Sequence, residues 1–159
     1  MQKILIEVVL PKNRRYLGSL RLIQNRRELS RYKVLGRGAR KEKGNTVFLE
    51  NGNTPTGTYK GTLKFRTNDF ERFGKNGAVE LFPKSGDARI AQDIFGRENL
   101  QIHGGRSKWG PLIKRNTFGC LRMKDNDVKD MVDKILKARY SEGMCHEKVE
   151  IEVTVSETW

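Results

Sequence analysis

Hydrophobic and polar residues alternate along most of this chain, which is the pattern of β-strands buried on one face. Near the N-terminus, Ile4 to Leu10 and Gly18 to Gln24 predict a hairpin that turns across Pro11 to Tyr16. A third strand is predicted over Arg31 to Leu35, after a turn at Asn25 to Arg27. The chain is therefore expected to begin as an antiparallel sheet.

The central segment continues the alternation. Thr58 to Arg66 places Tyr59, Leu63 and Phe65 on one face and polar residues on the other, as a half-buried antiparallel strand requires. Two shorter strands are predicted downstream, and polar stretches with glycine or proline predict the connections. The strands are Val79 to Phe82 and Leu100 to His103, and the connections are Gly36 to Gly44, Asn68 to Ala78 and Pro83 to Gly86.

One predicted helix is strongly periodic. Asp127 to Tyr140 carries apolar residues at three- and four-residue steps, with acidic residues at its start and basic residues near its end. Asp87 to Phe95 predicts a second, short helix, expected to lie as a cap or lid next to the strand that ends at His103. Glu147 to Val155 alternates strictly and predicts a last strand that completes the sheet.

These elements predict a mainly β domain, an antiparallel β-sandwich or barrel-like sheet with one long helix. At 159 residues the chain fits a single domain, 1–159, which buries roughly two-thirds of its unfolded surface. The sequence shows no internal repeat and no low-complexity segment.

One cysteine and one histidine are the strongest candidates for chemistry. Cys120 lies in the segment Thr117 to Met123, and His103 ends a strand that runs into Gly104 and Gly105. A thiol attacks a carbonyl as its thiolate, and a histidine is the usual base beside it. The pair predicts a nucleophilic cysteine site, with a small buried thiol and a structural strand histidine as the alternatives.

Three motifs occur in a fixed order along the chain. They are Asn53 to Tyr59, which contains Thr-Pro-Thr-Gly, then the His103-Gly104 step, then Thr117 to Arg122 with its Gly-Cys pair. Together with the helix that follows the cysteine, they resemble the L,D-transpeptidase catalytic domain family of the YkuD type. The chain departs from the family pattern at Phe118, where members usually have a second histidine.

The resemblance implies cysteine-dependent acyl transfer on peptidoglycan stem peptides, by an L,D-transpeptidase or an L,D-carboxypeptidase. It implies Cys120 as the nucleophile, His103 as the base and the Gly104 carbonyl as the group that orients the imidazole. Amides around Gly119 and Cys120 would stabilise the oxyanion, and Arg122 would bind a substrate carboxylate. The acyl acceptor stays open, and so does the choice between wall remodelling and a secreted toxin.

Two further residues near the cysteine are candidates for substrate binding. Thr117 directly precedes the core of the motif, although a simple turn residue is an alternative. Trp109 lies in the preceding loop, where it either packs against the protein or contacts substrate. Arg122 also has an alternative, since Asp125 and Asp127 lie close enough in sequence to pair with it.

The chain is strongly basic. Its 32 Lys and Arg against 19 Asp and Glu give a formal charge of +13, which favours anionic partners such as envelope polymers, membrane surfaces or nucleic acid. The basic residues cluster in Lys12 to Arg15, Asn25 to Arg27 and Arg37 to Lys43, and a solvated cationic face is the simplest interpretation. Aromatic residues do not interleave with these clusters, so a nucleic-acid partner is not expected. A catalytically impaired cell-wall-binding module is the main alternative to an enzyme, ahead of a basic nucleic-acid-binding protein.

The cysteines and histidines limit other chemistry. Cys120 and Cys145 cannot build a disulfide framework, and both are expected as thiols because a bridge between them would block the nucleophile. The two Cys and two His lack the paired spacing of structural zinc sites, so neither a metal nor a cofactor is expected.

The N-terminal run Met1 to Leu10 is too short and too charged for a signal-peptide core or a membrane span. No transmembrane segment is predicted. The family resemblance nevertheless implies the cell envelope, the periplasm or secretion. Removal of a signal, unconventional export and action in the cytoplasm all stay open.

Overall fold

The computed structural model describes residues 2–38, 47–50, 52–105, 119–138 and 149–158. Within these ranges the chain forms eight strands and three helices. The strands are β1 (Gln2–Pro11), β2 (Gly18–Gln24), β3 (Arg27–Val34), β4 (Gly57–Lys64), β5 (Ala78–Ser85), β6 (Leu100–His103), β7 (Leu121–Arg122) and β8 (Val149–Thr158). The helices are α1 (Phe70–Phe73), α2 (Asp87–Asp93) and α3 (Asp125–Ala138).

The strands form one sheet in the order β3-β2-β1-β8-β4-β5-β6-β7. Strands β1 and β8 pair in parallel, as do β6 and β7, and the other neighbours are antiparallel. The two outer strands approach each other, because Leu35 and Arg122 exchange two backbone hydrogen bonds of 2.9 Å. The sheet is therefore nearly closed, and the prediction of a mainly β, barrel-like fold is confirmed.

The alternation in the sequence separates an inner from an outer face of this sheet. In β1, Ile4, Ile6, Val8 and Leu10 are fully buried, and the residues between them are only partly so. The apolar stripe of α3 joins the same core. Each buried aliphatic side chain contributes about 1.5–3 kcal/mol to folding, so the core is the main source of stability. The α3 residues in the core are Val128, Met131, Val132, Ile135 and Ala138.

The first hairpins differ from the prediction at one turn. Asn25 and Arg26 both adopt positive φ, 52° and 63°, which makes a two-residue turn between β2 and β3. Strand β3 therefore starts at Arg27, so the predicted start at Arg31 was wrong. Alternation did not indicate this start because the first residues of β3 are charged and lie exposed at the sheet edge.

The central segment brings three further corrections. Phe65 was expected on the buried face of the fourth strand, but β4 ends one residue earlier and Phe65 is 61% exposed. Pro83 was expected in a turn and instead lies inside β5, opposite Tyr59. The predicted loop over Asn68 to Ala78 contains the one-turn helix α1, which buries none of its own residues.

The two longer helices and the last strand confirm the prediction. Helix α2 spans Asp87–Asp93, and α3 begins two residues before the predicted Asp127. The predicted end of that helix at Tyr140 lies outside the described residues. Strand β8 continues past the predicted Val155 to Thr158, in register with β1 along its whole length.

One basic cluster is not the solvated surface that the sequence suggested. Arg14 is only 4% exposed, and its guanidinium donates to the carbonyls of Gly36 and Thr54 at 3.1 and 2.8 Å. It also pairs with Glu157 at 2.6 Å. The charge of Arg14 is therefore used to hold the β1–β2 connection against β8 and the segment before β4.

We expect Arg14→Met to lower the free energy of unfolding by about 2–3 kcal/mol, because Glu157 and two buried carbonyls lose their hydrogen-bond donor. The exposed neighbour Arg15 is a matched control, and Arg15→Met should change stability by less than about 0.5 kcal/mol. Urea unfolding of the two variants beside the wild type measures both values. Equal stability of the two variants would contradict the structural role of Arg14.

Candidate active site

The pairing of β6 with β7 brings the candidate nucleophile and base to one face of the sheet. Ile102 pairs with Leu121 and His103 pairs with Arg122, in a parallel ladder. Ile102 and Leu121 are fully buried in the core, so their neighbours His103 and Cys120 point to the opposite, outer face. They are diagonal neighbours on that face of two adjacent strands.

The imidazole of His103 has a fixed orientation. Its Nδ1–H donates to the carbonyl of Gly104 at 2.6 Å, which leaves Nε2 as the basic nitrogen of the neutral ring. The turn that carries this carbonyl is held in turn by α3, because the Gly105 amide donates to Asp125 Oδ1 at 2.7 Å. A side chain at position 104 would collide with the same carboxylate, so the turn requires glycine.

Burial sets the charge of this imidazole. His103 is 2% exposed, and this loss of water lowers its pKa to about 4. The hydrogen bond to Gly104 opposes that shift, whereas the charges of Arg122 and Arg66 add to it. His103 is therefore neutral at pH 7 and able to accept a proton.

An aromatic ring fixes the other side of the imidazole. Phe73, at the end of α1, contacts His103 edge-on, with ring centroids 5.0 Å apart. The guanidinium of Arg66 lies over the Phe73 ring, 3.7 Å from its centroid, and also donates to Gln101 Oε1 at 3.0 Å. Arg66, Phe73 and His103 thus form one packed stack beside β6.

Cys120 is a thiol in a largely dry environment. It is 8% exposed, and its sulfur lies 3.8 Å from the carbonyl oxygen of Asn99. Burial raises the pKa of the Cys120 thiol, while the Gln101 backbone and the charges of three arginines favour the thiolate. The arginines are Arg122, Arg97 and Arg66. The resting pair at pH 7 is therefore a neutral thiol beside a neutral imidazole.

Gly119 connects the cysteine segment to the Thr-Pro-Thr-Gly motif. Its carbonyl accepts a 2.6 Å hydrogen bond from the hydroxyl of Thr54, which is fully buried. Its φ is 107°, and a Cβ placed there would lie 2.8 Å from the Gly52 carbonyl and would collide with the guanidinium of Arg97. Two motifs that are distant in sequence thus meet directly before the sulfur.

The structure brings five of the predicted site residues together. Cys120, His103 and Arg122 share the outer face, with Gly104 and Gly119 directly beside them. Arg122 is only 3% exposed, and Asp125, one of its alternative partners, binds the Gly105 amide. Thr117, Trp109 and Phe118 lie outside the described residues, as does Cys145.

Sequence reasoning missed Arg97, Arg66 and Phe73. None of them belongs to a recognised motif, and Phe73 lies in a segment predicted as a loop. Helix α2 was expected to cap the site, but it packs against β4 and β5. The residue that this region brings to the cysteine segment is Arg97, which follows α2. No local signal in the sequence marked Arg97, since the carbonyls that bind its guanidinium come from distant segments.

No group of three or more His, Cys, Asp or Glu within the described residues is arranged to hold a metal ion. No helix in the described ranges is long and apolar enough to cross a membrane.

The lowered pKa of His103 predicts a pH dependence of stability. Between about pH 6.5 and 4 the unfolded chain protonates this imidazole and the folded chain does not, so stability falls as the pH falls through that window. The full contribution is about 3 kcal/mol. Urea unfolding at pH 4.5 and 7 should show a smaller loss for His103→Gln than for the wild type, and equal losses would contradict the buried neutral state.

Solved structures share the fold of this chain. Bd1075 from Bdellovibrio bacteriovorus superposes with a TM-score of 0.58 at 15% identity, over 94% of this chain and 46% of that one. The helical cell shape determining protein Pgp2 from Campylobacter jejuni gives a TM-score of 0.55 at 15% identity, over 99% of this chain and 49% of that one. The chain thus spans about half the length of these proteins, and similarity at this level concerns the fold alone. No curated protein sequence matches the chain.

The sequence profile of the YkuD family, the L,D-transpeptidase catalytic domain, matches residues 3–151 of the chain. The matched region covers β2 to β7 in full, β1 from its second residue and the first three residues of β8, and it includes both the histidine turn and the cysteine segment. On this match and the shared barrel-like fold, the chain belongs to the L,D-transpeptidase catalytic domain family.

Proposed function

We propose that this protein is a cysteine-dependent acyltransferase that acts on peptidoglycan stem peptides. The observation that carries the proposal is the common outer face of β6 and β7, where a thiol and a neutral, oriented imidazole are diagonal neighbours. A neutral imidazole with one nitrogen bound to a carbonyl has its other nitrogen available as a base. Such an imidazole can take the proton of a thiol that comes within hydrogen-bond reach of it.

In the first half-reaction, His103 accepts the proton of Cys120, and the sulfur attacks the carbonyl between an L-configured centre and the following D-amino acid. The carbonyl π electrons move to oxygen and then return, and the C–N bond breaks. The released amine takes the proton from His103. The product is a thioester between Cys120 and the stem peptide, together with a free D-amino acid.

In the second half-reaction, an acceptor attacks the thioester while His103 accepts the acceptor's proton. The sulfur then leaves as thiolate and recovers that proton. An amine from a second stem gives a cross-link, and water gives a shortened stem. Both outcomes regenerate the same resting enzyme.

The remaining site residues have supporting roles in this proposal. The Gly104 carbonyl holds the imidazole, and amides around Gly119 and Cys120 stabilise the oxyanion. Arg122 binds a carboxylate of the substrate through its planar guanidinium. Thr117 and Trp109 would line the substrate side of the cysteine.

The charge of the chain and its family are consistent with work at the cell envelope. A formal charge of +13 favours association with anionic wall polymers, which would concentrate the protein on its substrate. We therefore propose the periplasm, the envelope or the outside of the cell as its place of action.

The direct test is incubation with a disaccharide-tetrapeptide, followed by mass spectrometry. We expect the wild type to release the terminal D-residue or to form a dimer, and Cys120→Ala to do neither. Cys145→Ala is the matched control, because it removes the other thiol of the chain and should leave the products unchanged. A carbapenem should add to Cys120 in both the wild type and Cys145→Ala.

The outcomes separate the candidate functions. A folded protein that binds wall polymer, forms no product and resists the carbapenem would be a binding module of the same fold. Retention of nucleic acid on filters, weakening with salt, would instead indicate a basic nucleic-acid-binding protein.

The pH profile tests the neutral thiol–imidazole pair. The protonation states of the Cys120 thiol and the His103 imidazole do not change between about pH 5 and 8, so the rate should show no inflection there. The rate should fall as the pH approaches the pKa of His103, about 4. Initial rates across this range measure the profile. An inflection near pH 6.5 would contradict the predicted burial of the imidazole charge.

A further inference from the structure

Arg97 is a buried guanidinium whose hydrogen bonds within the described part of the chain go to neutral groups. The residue is 4% exposed. Its Nη1 donates to the carbonyls of Val47 and Asn53 at 2.5 and 2.7 Å, and its Nη2 donates to the carbonyl of Gly52 at 3.1 Å. No carboxylate of the described residues forms an ion pair with it, so its positive charge is not neutralised there.

The position of this charge is defined by Gly119. The guanidinium occupies the space that a side chain at position 119 would need, directly before Cys120. Thr54 holds the carbonyl of Gly119, and Gly52 borders the same space. Arg97 is also fixed at its backbone, since its amide donates to the Ala91 carbonyl at the end of α2 at 3.0 Å.

A comparison with Arg14 shows what is unusual about Arg97. Both arginines are 4% exposed and both donate to backbone carbonyls. Arg14 also has the carboxylate of Glu157 at 2.6 Å, whereas the carbonyls around Arg97 satisfy its donors without cancelling its charge. A buried charge that no carboxylate of the described residues neutralises is costly, so its position next to the cysteine segment indicates a use for the charge itself.

We propose that Arg97 is a positioning residue that acts through Cys120, holding a fixed positive charge beside Gly119 that favours the ionised sulfur. The inference rests on the proposed function only in that it takes Cys120 as the nucleophile. The charge would assist both half-reactions, because the sulfur becomes anionic as it attacks and again as it leaves the thioester.

The mutual influence of the two groups agrees with this geometry. The charge of Arg97 acts to lower the pKa of the Cys120 thiol, and an ionised Cys120 acts to raise the pKa of Arg97. Arg122 and Arg66 act on the sulfur in the same direction. Arg97 differs from Arg66 in that it is more deeply buried, where water screens its charge less.

The test measures the ionisation of Cys120 without any substrate. In a Cys145→Ser background, the rate of alkylation by iodoacetamide is followed against pH, so that only Cys120 reports. We expect Arg97→Gln to move the midpoint of this profile to higher pH. Each tenfold loss of thiolate slows alkylation about threefold, because a more basic thiolate is intrinsically more nucleophilic, so at least a threefold slowing is expected at pH 7.

Two variants separate charge from structure. Arg97→Lys keeps the charge but cannot reach all three carbonyls, so it should lose stability and keep a midpoint close to that of the wild type. Arg14→Gln removes a buried arginine that is not among the charges acting on Cys120, and it should lose stability with no change of midpoint. Thermal unfolding of each variant gives the stability side of the comparison.

An unchanged midpoint in folded Arg97→Gln overturns the proposal. A midpoint shift in Arg97→Lys as large as that in Arg97→Gln also overturns it, because the effect would then come from geometry and not from charge. If Arg97→Gln does not fold, the ratio of iodoacetate to iodoacetamide rates at Cys120 replaces it. The folded wild type should show a ratio at least threefold above that of the urea-unfolded chain, because the anionic reagent meets the cationic site. An equal or lower ratio overturns the proposal.

The outcome is independent of the activity on peptidoglycan. A shifted midpoint in a protein without transferase activity would keep the role of Arg97 and remove the proposed function. Transferase activity together with an unchanged midpoint in Arg97→Gln would keep the proposed function and remove the role of Arg97.

Discussion

The parallel pairing of β6 with β7 is the constraint on which the candidate site depends. Its register puts Ile102 and Leu121 into the core, and this fixes His103 and Cys120 on the outer face. A slip of one residue in either strand would exchange the two faces and would cost the burial of fully apolar side chains. The two-residue strand β7 is held on its other side by the bridge from Leu35 to Arg122, so closure of the sheet and placement of the thiol are one event.

The electrostatics of the site follow from a deficit of acidic groups. Three arginines act on Cys120, and two of them also act on His103, with Asp125 as the carboxylate that opposes them at the imidazole. Burial adds to this by disfavouring the imidazolium. His103 and Cys120 therefore rest uncharged, and the surrounding cations favour the ionised form of the sulfur. In the proposed reaction these fixed charges would need no reorganisation when the thiol ionises.

Much of the fold was predictable from period-two alternation, and the candidate site residues were chosen from motif spacing. Strands such as β1 and β8 and the helix α3 follow directly from where the apolar residues fall. The failures have a common physical cause. Arg14 was expected on a solvated cationic face and Arg97 was given no role, yet carbonyls from distant segments bind both side chains in the interior. Phe65 was predicted on a buried strand face and Phe73 in a loop. Phe65 instead lies largely in solvent, and Phe73 packs against the imidazole of His103. No local pattern encodes contacts of this kind.

The pairing of β1 with β8 has a consequence for biosynthesis. The first strand of the sheet finds its central neighbour only in the last strand, in register from Gln2 with Val149 to Pro11 with Thr158. During synthesis on the ribosome, β1 exposes an unpaired hydrogen-bonding edge until residues 149–158 have been made. Closure of the sheet, and with it the placement of Cys120 next to β6, is thereby postponed until that strand has been added.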